Sequence, residues 1–454
     1  MALLAPLFQG HGLMARVLRS ASWMVIGYGG SQALRLAANL VLTRLLFPEA
    51  FGLMALVSVV SIGLSLFSDV GVGPSIAQSK RGDDPDFLNT AWTIQVTRGL
   101  LLWGLTGLIA WPMAQFYAAP ELTLYLPIAG IGLMIAGFNP TRIETANRHL
   151  LVGRLTVLEL TSQVIGIGTM IVLAATMQSV LALVLGGVVQ ALAHLVLTHF
   201  GLPGAANRFR WEKAAAKELI HFGKWIFLST AFWFATSQGD RAILGKFVSL
   251  ESLGVYNIGY FLASFPMLLG HAVNQRLMIP IYRDKPVAAA PENRRKQRMV
   301  RGGLSAVLLS LLWLMAWIGP SLVELLYDDR YTLAGPMVVL ISLALAPAVI
   351  GMTYDQAALA EGNSRAFFVY TASRALLQTV LFLAGVIFFG LPGGIAALGL
   401  SMLAAYPVLI WLARKHEVWD MMHDLGFAAV TCAIGVGAIW YHHDAIVTMI
   451  YALS

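Results

Sequence analysis

Long apolar stretches separated by short polar connections dominate the chain. A helix that crosses a bilayer core needs about 20 mostly apolar residues. Such stretches occur at 21–46, 50–69, 88–113, 121–140, 155–175, 178–200, 219–240, 251–277, 301–320, 334–356, 366–390 and 394–413. A thirteenth candidate lies at 425–441, and the apolar segment 445–454 is too short to span alone. The runs lack the period-2 alternation of barrel strands, so the expected fold is an all-α polytopic membrane protein.

Composition supports this reading. Apolar residues make up 58% of the 454 and charged residues only 12%, against roughly 25% in an ordinary soluble domain. Mean hydropathy is +0.73. The same numbers exclude disorder. The net charge of +7 is spread over many connections, which argues against a nucleic-acid face. No ordered signal-peptide pattern precedes residue 20, and Met14 is a plausible alternative start. Cys432 is the only cysteine, so no intrachain disulfide is expected.

Placing the basic residues on the connections gives an orientation. The N-terminus and even-numbered connections hold Arg16, Arg19, Lys80, Arg81, Arg142, Arg148, Arg154, Arg208, Arg210, Lys213 and Lys217, then eight more between 276 and 301, then Arg365, Arg414 and Lys415. Odd-numbered connections hold only Arg44, Arg241, Lys246 and Arg330. Lys and Arg accumulate in cytoplasmic loops. The expected placement is therefore the bacterial inner membrane with a cytoplasmic N-terminus.

An internal repeat organises the spans. With an offset of 202 residues, Trp23 falls on Trp225, Arg44 on Lys246, Glu49 on Glu251 and Gly52 on Gly254. "RLLFPEAFGL" at 44–53 sits over "KFVSLESLGV" at 246–255. Six spans separate the copies, so both have the same orientation. That predicts two six-helix lobes related by a parallel repeat around a central cavity, a transporter arrangement. The expected divisions are a tail at 1–20, lobes at 21–200 and 219–413, a linker at 201–218, and one or two extra hydrophobic segments at 414–454.

Polar side chains inside spans usually face the bundle interior or a water-filled cavity. Gln32, Arg35 and Asn39 share a stripe on the first span, and Gln95 and Arg98 lie one turn apart on the third. Arg98 is about ten residues, roughly 15 Å, from the span's start. The eighth span carries Asn257, Tyr260, His271 and Asn274, and the eleventh carries Arg374. Arg35, Arg98, Arg374 and Lys224 give the interior a cationic bias, which suits an anionic substrate such as a pyrophosphate headgroup. Gln32, Asn39, Gln95 and the eighth-span polar residues would line the cavity and contact sugar hydroxyls. Asp69, Asp240 and Asp355 are candidates for ion coupling, although helix-end roles for Asp69 and Asp355, and a cap or pairing with Arg241 for Asp240, are the simpler reading. His442, His443 and Asp444 sit at a polar turn, and no metal site is expected there. No P-loop, nucleophile elbow or H-E-x-x-H motif is present, so neither an enzyme nor a cofactor is expected.

Two segments resemble a known family. "TRLLFPEAFGLMALVSVVSIGLSLFSDVGVGPSIAQ" (43–78) and "GDRAILGKFVSLESLGVYNIGYFLASFP" (239–266) are similar to the opening and second-lobe signatures of bacterial polysaccharide transport proteins. These form the oligosaccharide flippase group of the multidrug/oligosaccharidyl-lipid/polysaccharide exporter superfamily. The resemblance implies a flippase moving undecaprenyl-pyrophosphate-linked repeat units across the inner membrane by alternating access, in the service of surface polysaccharide synthesis. The implied partners are the prenyl-pyrophosphate oligosaccharide, membrane lipid and polysaccharide polymerase machinery. A lipid II flippase, a multidrug exporter and, in a different class, a membrane glycan polymerase or ligase are the alternatives. The short odd-numbered loops argue against the last.

Overall fold

The computed structural model describes residues 13–284 and 290–453; the side chains at 13–21, 24–25, 222–229, 275–276 and 291 fall outside that description. Among the described residues the chain is helical, with no strand. Among the described residues, nine helices are long and apolar enough to cross a membrane, or ten if one bent pair counts as a span.

Contacts divide the chain into two units, 1–231 and 232–454. In the first, α1 (Leu13–Leu45), α2 (Pro48–Phe67), the short α3 (Val72–Gln78), α4 (Pro85–Tyr117), α5 (Leu122–Gly137), the short α6 (Arg142–Arg148), α7 (Val152–Met177) and α8 (Leu181–Gly201) follow in order. Next comes α9 (Lys213–Phe247), in which the division falls, followed by α10 (Leu250–Asp284), α11 (Pro291–Leu326), α12 (Ala334–Gly351), the short α13 (Asp355–Ala360) and α14 (Ser364–Lys415). The chain ends with α15 (Met421–Tyr441) and α16 (His443–Leu453). Short α6 follows α5 as short α13 follows α12, so the order of elements repeats.

The motif that revealed the repeat has a local cause. Arg44 lies in the last turn of α1 and Glu49 in the first turn of α2; Lys246 and Glu251 occupy the same places on α9 and α10. Each charge opposes the partial charge of its helix end. The basic and acidic residues thus mark tight helix-to-helix corners.

Other boundaries follow from caps. The Asp84 carboxylate accepts from the Asp86 N–H at 3.0 Å, with Pro85 at the first helical position of α4. The Asn363 side chain accepts from the Ala366 N–H at 3.1 Å to start α14. Within α14 the helix breaks at Phe389 and Gly390, where Gly390 has φ 62° and ψ −155°. Only glycine tolerates that conformation at little cost. The break makes two helices of one 52-residue element, matching the spans expected at 366–390 and 394–413.

Small residues set the packing. The buried face of α4 includes Ala91, Gly99, Thr106, Ala110 and Ala114. A Cβ on Gly99 would lie 3.0 Å from the Gly137 Cα, so α4 and α5 meet backbone to backbone, as membrane helices do in the absence of a hydrophobic drive. Also in this unit, α7 packs on α8 and α1. In the second unit α12 is central, touching α10, α11, α14 and α15. Leu101, Leu108 and Trp111 on the opposite side of α4 are exposed, as a lipid-facing surface requires.

The basic connections of the first unit are ordered rather than loose. Arg148 donates to the carbonyls of Ile76 (2.9 Å), Ala77 (3.1 Å) and Ser79 (2.8 Å), closing the C-terminus of α3. Arg142 does the same for α8, reaching His199 O at 2.8 Å and Ala205 O at 2.9 Å. Arg81 joins Asp84 at 2.8 Å to Glu212 at 2.7 Å. The guanidinium holds the Asp84 carboxyl below the usual carboxylate range, and hydrogen bonds to Glu212 and Asp84 raise the Arg81 pKa further. Residues read from sequence as orientation signals are therefore also helix C-caps.

Candidate functional site

In the first unit the expected cavity arginines differ sharply. Arg98 donates from Nε to the Ser68 hydroxyl at 2.8 Å and from Nη2 to the Ser65 carbonyl, and its Nη1 lies 3.9 Å from Asp69. It binds the C-terminal turn of α2, whose last carbonyls lack intrahelical partners. Asp69 in turn accepts from the Gly71 N–H at 2.9 Å. These two candidates form one helix-end joint. Gln95 donates to the Ala136 carbonyl at 3.2 Å and ties α4 to α5. Gln32 and Asn39 are half-buried, whereas Arg35 is exposed.

The second unit gathers more of the candidates. Asp240 is buried and accepts from the Tyr256 hydroxyl at 2.8 Å and from Arg241 at 3.4 Å. Arg241 also donates to Asn257 at 2.7 Å and stacks 4.7 Å above the Tyr260 ring. This clasp joins α9 to α10. Arg374 is half-buried, and its Nε is enclosed with no hydrogen-bond partner. It lines a tight cavity with Pro347, Tyr370, Met402 and Tyr406.

The remaining candidates fall around this cluster. Asn274 is fixed to the Met352 carbonyl at 2.7 Å, leaving its Oδ1 buried and unpaired. Asp355 accepts from Gln356 at 2.9 Å. His271 is exposed. The Lys224 side chain lies outside the described residues. The structure thus joins Asp240, Asn257 and Tyr260 through Arg241, sets Arg374 beside Tyr370, and places Arg98 and Asp69 in a joint of their own.

Charge counting missed one group. Arg301, assigned by sequence to a basic loop, is only 1% exposed. It donates to Thr353 at 3.0 Å and to the Tyr282 hydroxyl at 3.0 Å, and it stacks 4.3 Å over Tyr354. Tyr354 donates to Asp424 at 2.7 Å. Asp424 also accepts from Trp419 at 3.1 Å and contacts His423 at 2.9 Å, while His423 reaches Ser305 at 3.0 Å. The signal was available: Arg301, Ser305, Leu308, Leu309 and Leu312 recur at helical spacing on one buried stripe. The Ser-His-Asp arrangement resembles a catalytic relay, but Ser305 is 1% exposed. No substrate can reach it, and the group works as a polar core.

Comparisons with known proteins agree with this architecture. The teichuronic acid biosynthesis protein TuaB of Bacillus subtilis (strain 168) is 22% identical over 331 residues, covering 70% of this chain and 66% of that protein. The chain therefore spans just under two thirds of that relative's length. Among solved structures, an inward-facing multidrug resistance MATE family transporter of the MOP superfamily superposes with a TM-score of 0.65 at 14% identity, covering 85% of this chain and 94% of that one. The lipid II flippase MurJ in an inward closed conformation gives 0.63 at 13% identity, covering 93% and 99%. The fold is thus that of MOP-superfamily transporters, and the chain is a multi-pass membrane protein. Residues 41–336, more than half of the sequence, match the family described as polysaccharide biosynthesis protein, and the chain belongs to that family.

Proposed function

We propose that the protein is a flippase for prenyl-pyrophosphate-linked oligosaccharide repeat units. It carries them from the cytoplasmic to the outer leaflet of the inner membrane, by alternating access, for assembly into surface polysaccharide. The observation that carries this reading is Arg374, a half-buried arginine whose Nε has no partner in a member of a polysaccharide biosynthesis family. A cation held in a low-dielectric setting attracts a pyrophosphate more strongly than it would in water. Tyr370 beside it, with Tyr260 and His271 on α10, offers hydroxyl and imidazole groups to sugars. The prenyl tail stays in lipid throughout, and polymerase machinery takes up the translocated unit.

The test uses a strain in which this chain is the sole candidate flippase. Deletion should trap completed prenyl-pyrophosphate glycans on the cytoplasmic side and abolish surface polymer. The mass of the trapped lipid identifies the sugar. Normal sidedness with intact polymer overturns the proposal. Accumulation of the peptidoglycan precursor instead transfers the reading to a lipid II flippase, the activity named for one structural neighbour.

A further inference from the structure

Residues 205–212 run from α8 to α9 without helix, strand or turn. Buried backbone outside helix and sheet must find partners for its N–H groups, and here α4 provides several. The Arg208 N–H donates to Asn89 Oδ1 at 2.9 Å, the Arg210 N–H to Thr93 Oγ1 at 3.0 Å, and the Glu212 N–H to Thr90 Oγ1 at 3.0 Å. The hydroxyls of Thr90 and Thr93 donate to carbonyls of their own helix at 2.8 Å, which leaves their lone pairs for the strap. Asn207 fastens its start, accepting from the Thr141 N–H at 3.0 Å and donating to the Thr141 hydroxyl at 2.8 Å. The strap is therefore fixed in place, and what it displays follows from its sequence.

It displays Arg208, Phe209, Arg210 and Trp211, all exposed. Phe209 rests against Trp92, with ring centroids 4.9 Å apart, yet stays 68% exposed; Trp211 is 57% exposed. The Arg208 side chain makes no hydrogen bond or ion pair among the described residues, and the Arg210 side chain makes one exposed contact with Asp86 at 3.3 Å. The surface continues onto α9, where Lys213, Lys217 and Ile220 are exposed at helical spacing. A water-facing loop has no use for two large aromatic rings. Beside the opening turns of a membrane span, aromatic rings at headgroup depth interleaved with arginines form an interfacial anchor.

We propose that this strap is a docking site for anionic phospholipid headgroups. Arg208 and Arg210 meet the phosphates, and Phe209 and Trp211 enter the interface between them. The occupant is lipid because the patch alternates charge with apolar rings, whereas a soluble polyanion would need only the charge. This docking does not depend on the transport reading.

Full-length protein carrying Cys432→Ser and Ala206→Cys, labelled with bimane, is placed in nanodiscs containing brominated phosphatidylglycerol or brominated phosphatidylcholine. Both leaflets carry the lipid, so the result does not depend on which way the strap faces. Quenching should be stronger with phosphatidylglycerol. Each arginine near a charged surface is worth about a fivefold preference, so Arg208→Gln with Arg210→Gln should lower the phosphatidylglycerol preference by up to about 25-fold, leaving what Lys213 and Lys217 supply. Arg208→Lys with Arg210→Lys should retain the preference, which separates lost charge from a disturbed strap. Equal quenching in the parent protein, or an undiminished preference in the double Gln variant, overturns the proposal.

Discussion

Replacing Asp424 with Ala tests whether the C-terminal helix α15 belongs to the second unit's core. The carboxylate accepts from Tyr354 at 2.7 Å and Trp419 at 3.1 Å and holds His423 at 2.9 Å. Its side chain is 9% exposed, so water cannot replace it for all three. A hydrogen bond to a charged acceptor contributes about 1.5–3 kcal/mol, but three bonds to one carboxylate are not additive. Removing one partner of a buried charged network costs about 3–5 kcal/mol. Asp424→Ala should fall in that range and Asp424→Asn at roughly half of it, since the amide keeps one acceptor. The assay is reversible unfolding of the purified protein in mixed micelles with increasing denaturing detergent. A double-mutant cycle with Tyr354→Phe should return a coupling of about 1–2 kcal/mol. If Asp424→Ala unfolds within about 0.5 kcal/mol of the parent, the network does not anchor α15 and the reasoning fails.

Four further outcomes follow from the same geometry. Arg374→Ala and Arg374→Lys should both lower glycan translocation by about 10- to 100-fold with normal folded yield, since a charge-assisted bond is worth that much and lysine lacks the planar fork; wild-type translocation in Arg374→Ala would remove it from the mechanism. Arg98→Ala should reduce folded yield along with transport, because membrane hydrogen bonds of about 0.6–1.7 kcal/mol each to Ser65 and Ser68 are lost; fluorescence-detected gel filtration separates the two effects. Gly99→Leu should prevent the α4–α5 approach and eliminate monodisperse protein on the same column. The Arg81–Asp84–Glu212 clasp should hold from neutral pH down to about pH 4: the folded Asp84 pKa lies below its ordinary 3.8, so this contribution is present above that value and fades as pH falls through the lowered one. Amide exchange at residues 81–88 should therefore accelerate only in that acid range, and Arg81→Gln should accelerate it at neutral pH.

The fold was legible because bilayer thickness dictates helix length. Each predicted span from 21–46 to 425–441 falls on a helix, and even the 366–390 and 394–413 pair is separated at Gly390 within one long element. Short α3, α6 and α13 were not legible, since six- or seven-residue helices in polar connections carry no apolar period. Arginine roles were half legible. Burial in a span identified Arg98 and Arg374 as consequential, but composition cannot show that Ser65, Ser68 and Asp69 occupy the first while the Nε of the second stays open. Arg301 was hidden by neighbours: a cluster of basic residues looks uniform in sequence, and only its 305, 308 and 312 continuation marks it as inward-facing.

The repeat itself shows where specialisation lies. At the 202-residue offset, Asp240, Arg241, Tyr256, Asn257 and Tyr260 correspond to Ala38, Asn39, Met54, Ala55 and Ser58. Both copies form the same helix-corner-helix element, with Arg44 or Lys246 ending one helix and Glu49 or Glu251 opening the next. The first copy does so around a buried apolar patch containing Ala38, Leu42, Leu46 and Ala50. A charged clasp is therefore not required to make the element, and burying one costs desolvation that apolar packing avoids. What the clasp adds in the second copy is position: Arg241, held by Asp240 and Asn257, fixes the ring of Tyr260. Asp240→Ala should then loosen Tyr260 and weaken substrate affinity more than it lowers maximal transport. Ala38→Asp in the first unit should only destabilise. A transport defect in Asp240→Ala that matches its loss of folded protein would reduce the clasp to a structural joint.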